Sequence, residues 1–185
     1  IGALFGESGF GEVVENGTLF RLLVLADTFG FHLAALDVRQ HSAVHERAVA
    51  SVLAAGGAEA DYAALDEDAR VALLRRELSR SEPLLASDAR LDDDARVALD
   101  TFAAMRDILA EDPDAIGAYV VSMTHTVSDL LEPMLLAKEA GLWGVREGAV
   151  ETSLDFVPLF ETIDDLREAA ARMTALFADD VYRLQ

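Results

Sequence analysis

Cysteine is absent from this 185-residue chain, which excludes disulfide bonds, thiolate zinc sites and a cysteine nucleophile. Long apolar runs are absent as well, since no stretch of about 18 uninterrupted apolar residues predicts a membrane-spanning helix. The first residues also lack the basic and then apolar pattern of a secretory signal. We therefore expect a cytoplasmic protein with no membrane partner.

Basic residues are scarce. The chain has 15 Lys and Arg against 34 Asp and Glu, which gives a formal net charge of −19. Such a surface repels the phosphate backbone of nucleic acids, so we expect no nucleic-acid partner. A small anionic substrate remains compatible with this charge, because a pocket needs only locally placed cations or a divalent metal.

Apolar side chains make up 52% of the chain, enough for a substantial core. Short apolar runs predict strands over residues 31–38, 118–123 and 154–160. Helical periodicity predicts helices over residues 16–30, 43–55, 66–79, 92–111, 127–140 and 162–177. Strands that alternate with helices indicate parallel βα units.

Polar residues gather where each predicted strand ends. They are Asp37, Arg39 and Gln40 at the end of the first, Ser122, Thr124 and His125 at the end of the second, and Glu161 and Thr162 at the end of the third. In a parallel barrel these ends face one side, so side chains from distant strands converge there on a ligand. Three strands are too few to close an eight-stranded barrel. The sheet is therefore either open or part of a larger protein.

Two of these residues have a functional and a structural interpretation. Glu161, an anion at the tip of an apolar strand, suits a hard divalent cation, but it also suits the start of the following helix. The guanidinium of Arg39 fits a phosphate with two parallel hydrogen bonds, but it also suits an ion pair with Asp37.

Other polar residues remain open between roles. Gln40, Ser122, Asp37 and Asp129 are candidates to support the site, although helix capping or core hydrogen bonds explain them equally well. His41 and His45 have a spacing that can bind zinc, but no third ligand is evident and a surface helix is favoured.

Three strings of sequence resemble phosphoenolpyruvate carboxylase. They are the run at residues 31–42 with its Asp-Val-Arg-Gln, the Tyr-Val-Val-Ser-Met at 119–123, and the run at 157–166 with its Pro-Leu-Phe-Glu-Thr. Residues 128–131 and 136–142 are similar to a barrel helix of that family. The resemblance covers the chain from Asn16 to its C-terminus.

The resemblance implies a mostly helical α/β fold, a partial (β/α)8 TIM-type barrel segment with about three parallel strands and inserted helices. Residues 1–185 would be a single segment of the barrel domain, truncated at both ends. The family is a lyase of carbon dioxide fixation. It joins bicarbonate to phosphoenolpyruvate to give oxaloacetate and phosphate, with Mg²⁺ or Mn²⁺, commonly as a homotetramer.

Two site residues of the family fall in this chain by resemblance. Glu161 matches the glutamate that binds the metal, and Arg39 matches the arginine near the substrate phosphate. His41 stands where the family pattern leads us to expect an acidic residue.

No complete catalytic set is present. The chain lacks the Thr-Ala-His-Pro-Thr-Glu string with the catalytic histidine, the Gly-Tyr-Ser-Asp-Ser string with a second metal ligand, and the Gly-Arg-Gly-Gly loop. We therefore expect an inactive segment that the remainder of its parent polypeptide completes. The alternative is an acidic, non-catalytic helical binding module derived from such a barrel.

Overall fold

The computed structural model describes residues 7–9, 17–30, 34–146 and 149–184. The chain divides between Leu36 and Asp37 into two compact units. In the first unit, helix α1 (Thr18–Phe29) buries none of its side chains. It ends at Gly30, whose φ of 54° is readily adopted by a residue without a Cβ. The helix predicted in this part of the chain is therefore confirmed.

From Leu36 onward, the described residues form a parallel sheet, a hairpin and five helices. In chain order these are β1 (Leu36–His41), α2 (Ser42–Ala55), a 3-10 turn (Tyr62–Ala64), α3 (Glu67–Leu78), α4 (Asp93–Glu111), β2 (Ile116–Ser122), α5 (Ser128–Glu139), β3 (Trp143–Arg146), β4 (Ala149–Thr152), β5 (Asp155–Leu159), α6 (Ile163–Ala178) and a final 3-10 turn (Tyr182–Leu184).

The three-stranded sheet has the order β1-β2-β5, so β2 is the middle strand. Strands β2 and β5 are parallel and pair from Ala118 with Asp155 to Ser122 with Leu159. Strand β1 runs in the same direction, because Asp37 lies against Ala118 and Gln40 lies against Ser122. The three predicted parallel strands are thus present, and the described residues form no closed barrel.

Strand β1 begins and ends later than predicted. The sequence prediction was 31–38, whereas the strand runs over Leu36–His41 and residues 31–33 lie outside the described residues. Asp37, Arg39 and Gln40 therefore lie within the strand and not beyond its tip. The apolar run was misleading because pairing with β2, and not local hydrophobicity, decides where this strand lies.

The antiparallel pair β3–β4 was not predicted from the sequence. Trp143 pairs with Thr152 and Val145 pairs with Val150 in this hairpin. Two short runs on either side of a Glu-Gly dipeptide at residues 147–148 were the available signal.

The core lies between one face of the sheet and the helices. On α4, the ring of Phe102 lies 4.9 Å from that of Tyr119 on β2 and 6.2 Å from that of Phe156 on β5, measured between centroids. Met105 and Leu109 continue the buried stripe of α4. Burying a side chain such as Phe102 stabilises the fold by about 1.5–3 kcal/mol. The helices therefore cover this face of the sheet.

Among the described residues, the opposite face of the sheet is the more open one. Its residues alternate with the core residues along each strand, and Arg39 on β1 and Asp155 on β5 are exposed. Val120 and Val157, which pair across the middle of the sheet, are only partly buried. This open face leads directly to the carboxyl ends of the three strands.

Side chains fix the beginnings of α3, α4 and α6. Asp66 and Asp92 accept hydrogen bonds from the backbone of α3 and α4, and Thr162 forms a capping box with Asp165 at α6. Helix α5 continues through Pro133. No helix in the described ranges has both the length and the apolar character needed to cross a membrane.

Candidate functional site

Arg39 and Glu161 form an ion pair at the carboxyl end of the sheet. Nη2 of Arg39 donates to Oε1 of Glu161, although the two residues are 122 positions apart in sequence. Arg39 lies near the end of β1 and Glu161 follows β5, on the two sides of the middle strand. The fold thus brings together the two residues that the resemblance assigns to phosphate and metal.

Both members of this pair remain accessible. The side chain of Arg39 is 52% exposed and that of Glu161 is 30% exposed. Among the described residues, Oε2 of Glu161 has no hydrogen-bond partner. A ligand entering from the open face therefore meets a guanidinium and a carboxylate oxygen.

The alternative role of Glu161 as a helix cap is not what the structure shows. Thr162 is the N-cap of α6, and its hydroxyl accepts from the backbone N–H of Asp165 at 3.0 Å. Oδ2 of Asp165 accepts in return from the N–H of Thr162 at 3.1 Å. Because this capping box satisfies the helix start, Glu161 is left for contacts at the sheet edge.

The expected alternative for Arg39, an ion pair with Asp37, is also not observed. Oδ1 of Asp37 instead accepts from the backbone N–H of Ala118 at 3.1 Å, near the amino end of β2. Asp37 therefore joins two strands and lies toward the end of the sheet away from Glu161.

Gln40 and Ser122 lie at the carboxyl edge but bind the backbone. The side chain of Gln40 accepts from the N–H of His41 at 2.8 Å, and the backbone carbonyl of Gln40 accepts from the hydroxyl of Ser122 at 3.2 Å. Neither side chain hydrogen-bonds to Arg39 or Glu161 within the described residues. In the structure Gln40 and Ser122 join β1 to β2. Their role at the site stays a prediction.

Asp129 orders the loop between β2 and α5. Its Oδ2 accepts from the backbone N–H groups of His125 at 2.7 Å and Thr126 at 2.9 Å. These two hydrogen bonds within the loop account for Asp129.

His41 and His45 do not form a zinc site. Nδ1 of His41 caps α2 by accepting from the N–H of Ala43 at 3.0 Å. His45 is buried, with Nε2 at 2.8 Å from the hydroxyl of Tyr119, so its placement on an exposed helix surface was wrong. Burial, with a smaller effect of His41, lowers the pKa of His45 to about 3, and the ring is neutral.

His125 has a partner that the sequence did not reveal. Its Nδ1 lies 2.9 Å from Oδ1 of the buried Asp165, and the same oxygen accepts from Arg172 at 2.7 Å. Hydrogen bonds from Arg172 and then Thr162 hold the pKa of Asp165 well below its usual range. His125 and Asp165 are 40 residues apart, so no local pattern in the sequence indicates their contact. The capping pattern at residues 162–165 indicates only that Asp165 lies at the start of a helix.

Glu161 suits a divalent cation as a single carboxylate ligand, since Mg²⁺ and Mn²⁺ prefer oxygen donors. Within the part of the chain that the structure describes, no group of three or more histidine, aspartate or glutamate side chains is placed to hold a metal. The described residues therefore fit a metal site only in part, with one carboxylate. The arrangement as a whole is typical of α/β enzymes that bind anionic ligands at the carboxyl ends of parallel strands.

Comparison with known proteins shows the family to which the chain is related. The family model described as phosphoenolpyruvate carboxylase matches residues 7–185. A phosphoenolpyruvate carboxylase of Rhodothermus marinus is 54% identical over 184 residues, which cover 96% of this chain and 20% of that protein. One of Nocardia farcinica is 42% identical over 99% of this chain and 20% of its own length. One of Aromatoleum aromaticum is 46% identical over 89% of this chain and 18% of its own length.

The chain belongs to the phosphoenolpyruvate carboxylase family. It spans about a fifth of the length of the curated relatives that it matches. The resemblance read from the three strings of sequence is therefore confirmed.

Proposed function

We propose that this chain forms part of an enzyme that carboxylates phosphoenolpyruvate with bicarbonate, giving oxaloacetate and phosphate. The observation that carries this proposal is the meeting of Arg39 and Glu161 at the carboxyl end of the sheet. The family relationship supports the same reaction. The remainder of the parent polypeptide supplies the other groups of the site, and the parent enzyme works as a homo-oligomer.

Arg39 binds and orients the phosphate of the substrate in this proposal. Its planar fork of N–H donors matches two phosphate oxygens, and its charge persists at any working pH. Because Arg39 is bound to Glu161 in the structure, substrate binding replaces one anionic partner by another. The open face of the sheet lets the substrate reach the guanidinium without displacing the core.

Glu161 is the residue that would hold Mg²⁺ or Mn²⁺, with substrate oxygens, water and groups elsewhere in the parent enzyme. Such a metal supplies positive charge next to oxygen atoms that become more negative during the reaction. The capping box at Thr162 holds the start of α6, and so orients the residue immediately before it.

Replacing Glu161 by Gln in the complete enzyme tests this proposal. Gln keeps the size of the side chain but removes the anionic oxygen ligand. We expect the concentration of Mg²⁺ needed for half-maximal activity to rise at least tenfold, with little change in thermal stability. Glu168→Gln is the matched control, because Glu168 is an exposed glutamate on α6, the helix that follows Glu161. It should leave the metal requirement unchanged. An unchanged metal requirement in folded Glu161→Gln enzyme would contradict the assignment.

The segment alone should be inactive, because the family strings that carry the catalytic histidine and a second metal ligand are absent from it. A non-catalytic binding module remains the alternative. The two differ in whether the parent polypeptide, purified to homogeneity, forms oxaloacetate.

A further inference from the structure

The imidazole of His125 is held in one orientation by Asp165. Asp165 is 2% exposed and accepts hydrogen bonds from Thr162, Arg172 and His125. An ionised carboxylate only accepts, so Nδ1 of His125 carries a proton and donates it to Oδ1. The other ring nitrogen, Nε2, is therefore turned away from Asp165.

The loop that carries His125 is fixed on several sides. Met123 has a φ of 56°, which is unusual for a residue with a side chain, and its carbonyl accepts from the hydroxyl of Ser42 at 2.9 Å. The buried hydroxyl of Thr124 donates to the carbonyl of Val121 at 2.8 Å. Strained backbone that the surroundings hold in place is a common feature of functional sites.

Two further contacts complete this support. The carbonyl of Thr124 accepts from Arg172 at 3.3 Å, and the N–H of His125 donates to Asp129 at 2.7 Å. Elements from α2 to α6 thus contribute to one short loop. Such support is more than a solvent-exposed loop needs, and it is what a preorganised binding group requires.

His125 lies at the same edge of the sheet as the Arg39–Glu161 pair. The pair joins β1 to β5 across the end of the middle strand β2, a span of about 10 Å for two strand spacings. The loop with His125 starts directly after Ser122, the last residue of that middle strand. The side chain of His125 is 47% exposed, and Nε2 has no hydrogen-bond partner among the described residues.

We propose that His125 is a substrate-binding residue whose protonated Nε2 donates a hydrogen bond to an anionic oxygen of phosphoenolpyruvate, beside the phosphate contact of Arg39. This inference rests on the proposed function. Asp165 is a positioning residue in it, because it orients the ring through the contact with Nδ1.

Substitution by Asn in the complete enzyme separates binding from support. The amide of Asn reaches the position of Nδ1, so His125→Asn keeps a donor for Asp165 while it removes Nε2. We expect its KM for phosphoenolpyruvate to rise about tenfold with kcat changed less than threefold, as for loss of one charge-assisted contact. His125→Gln, whose amide reaches the position of Nε2, should recover part of the loss.

Arg167→Ala is the matched control. Arg167 is an exposed cation on α6 that pairs only with the exposed Asp164 within the described residues. Its loss removes one positive charge nearby without touching the site, so KM should stay within twofold of the wild-type value. A KM for His125→Asn that also stays within twofold, in folded enzyme, would overturn the inference.

A second measurement needs no variant. Diethyl pyrocarbonate modifies accessible imidazoles, and peptide mass spectrometry reports the modified position. We expect phosphoenolpyruvate to protect His125 at least fivefold in wild-type enzyme, and equal modification with and without it would overturn the inference. Arg39→Ala distinguishes failure of this inference from failure of the proposed function. If Arg39→Ala raises the KM for phosphoenolpyruvate and His125→Asn does not, only the inference about His125 is refuted. Wild-type enzyme that forms no oxaloacetate would instead refute the proposed function.

Discussion

Replacing Arg39 by Ala should damage substrate use far more than stability. The ion pair with Glu161 joins side chains that are 52% and 30% exposed, so water screens it and its contribution is about 0–1 kcal/mol. Val38 and the backbone of β1, and not the guanidinium, connect this strand to the core. We therefore expect the free energy of unfolding to fall by less than about 1 kcal/mol.

The effect on catalysis should be larger, because a charge-assisted hydrogen bond to a partly desolvated phosphate contributes about 1.5–3 kcal/mol. This corresponds to a loss of about ten- to a hundredfold in kcat/KM. Arg39→Lys keeps the charge but loses the planar fork, and should fall between Ala and wild type.

The assay is oxaloacetate formation by the complete enzyme, coupled to oxidation of NADH by malate dehydrogenase, with urea unfolding of the same preparations. The reverse pattern would contradict a substrate-binding role for Arg39. If Arg39→Ala lost several kcal/mol of stability while the folded fraction kept its kcat/KM, the residue would serve the fold and not the substrate.

Two other predictions concern the chain itself. The isolated 185-residue chain should form no oxaloacetate above background, and bicarbonate-dependent turnover by highly purified chain would contradict this. Burial raises the pKa of Glu132 well above its usual 4.5, so its folded form favours the proton, and the stabilisation present below pH 4.5 is lost as the pH rises. Urea unfolding measured from pH 4.5 upward should therefore show a declining free energy of unfolding. Glu132→Gln should flatten this decline, since Gln does not titrate and can still accept from the hydroxyl of Tyr62. Glu168→Gln, at an exposed position, should leave the dependence on pH unchanged.

Local signals in the sequence account for the features that local chemistry decides. The capping box from Thr162 to Asp165 is written in four consecutive residues, and the stop at Gly30 needs only a residue that tolerates positive φ. The buried stripe of α4 follows from its helical period. None of these features depends on a partner far away in the chain.

Features that depend on distant partners were not predictable in this way. His45 is buried against Tyr119, 74 residues away, and Glu132 is buried against Tyr62, 70 residues away. The position of β1 is likewise set by its pairing with β2, against the apolar run that precedes it. In isolation, the sequence shows these residues only as polar positions in a helix or next to a strand.

The candidate site shows the same division. The resemblance named Arg39 and Glu161 one by one, but their contact across 122 residues is a property of the fold. The pairing of His125 with Asp165 had no signal in the sequence beyond the cap that contains Asp165.

The Arg39–Glu161 ion pair has a thermodynamic consequence for the proposed ligands. A cation that takes Glu161 frees Arg39 for an anion, and an anion that takes Arg39 frees Glu161 for a cation. Each ligand thereby removes the competitor of the other, and by reciprocity the gain in affinity is the same in both directions. A pair this exposed limits the coupling to about 1 kcal/mol, or about fivefold. The two ligands would therefore bind synergistically with no movement of the backbone.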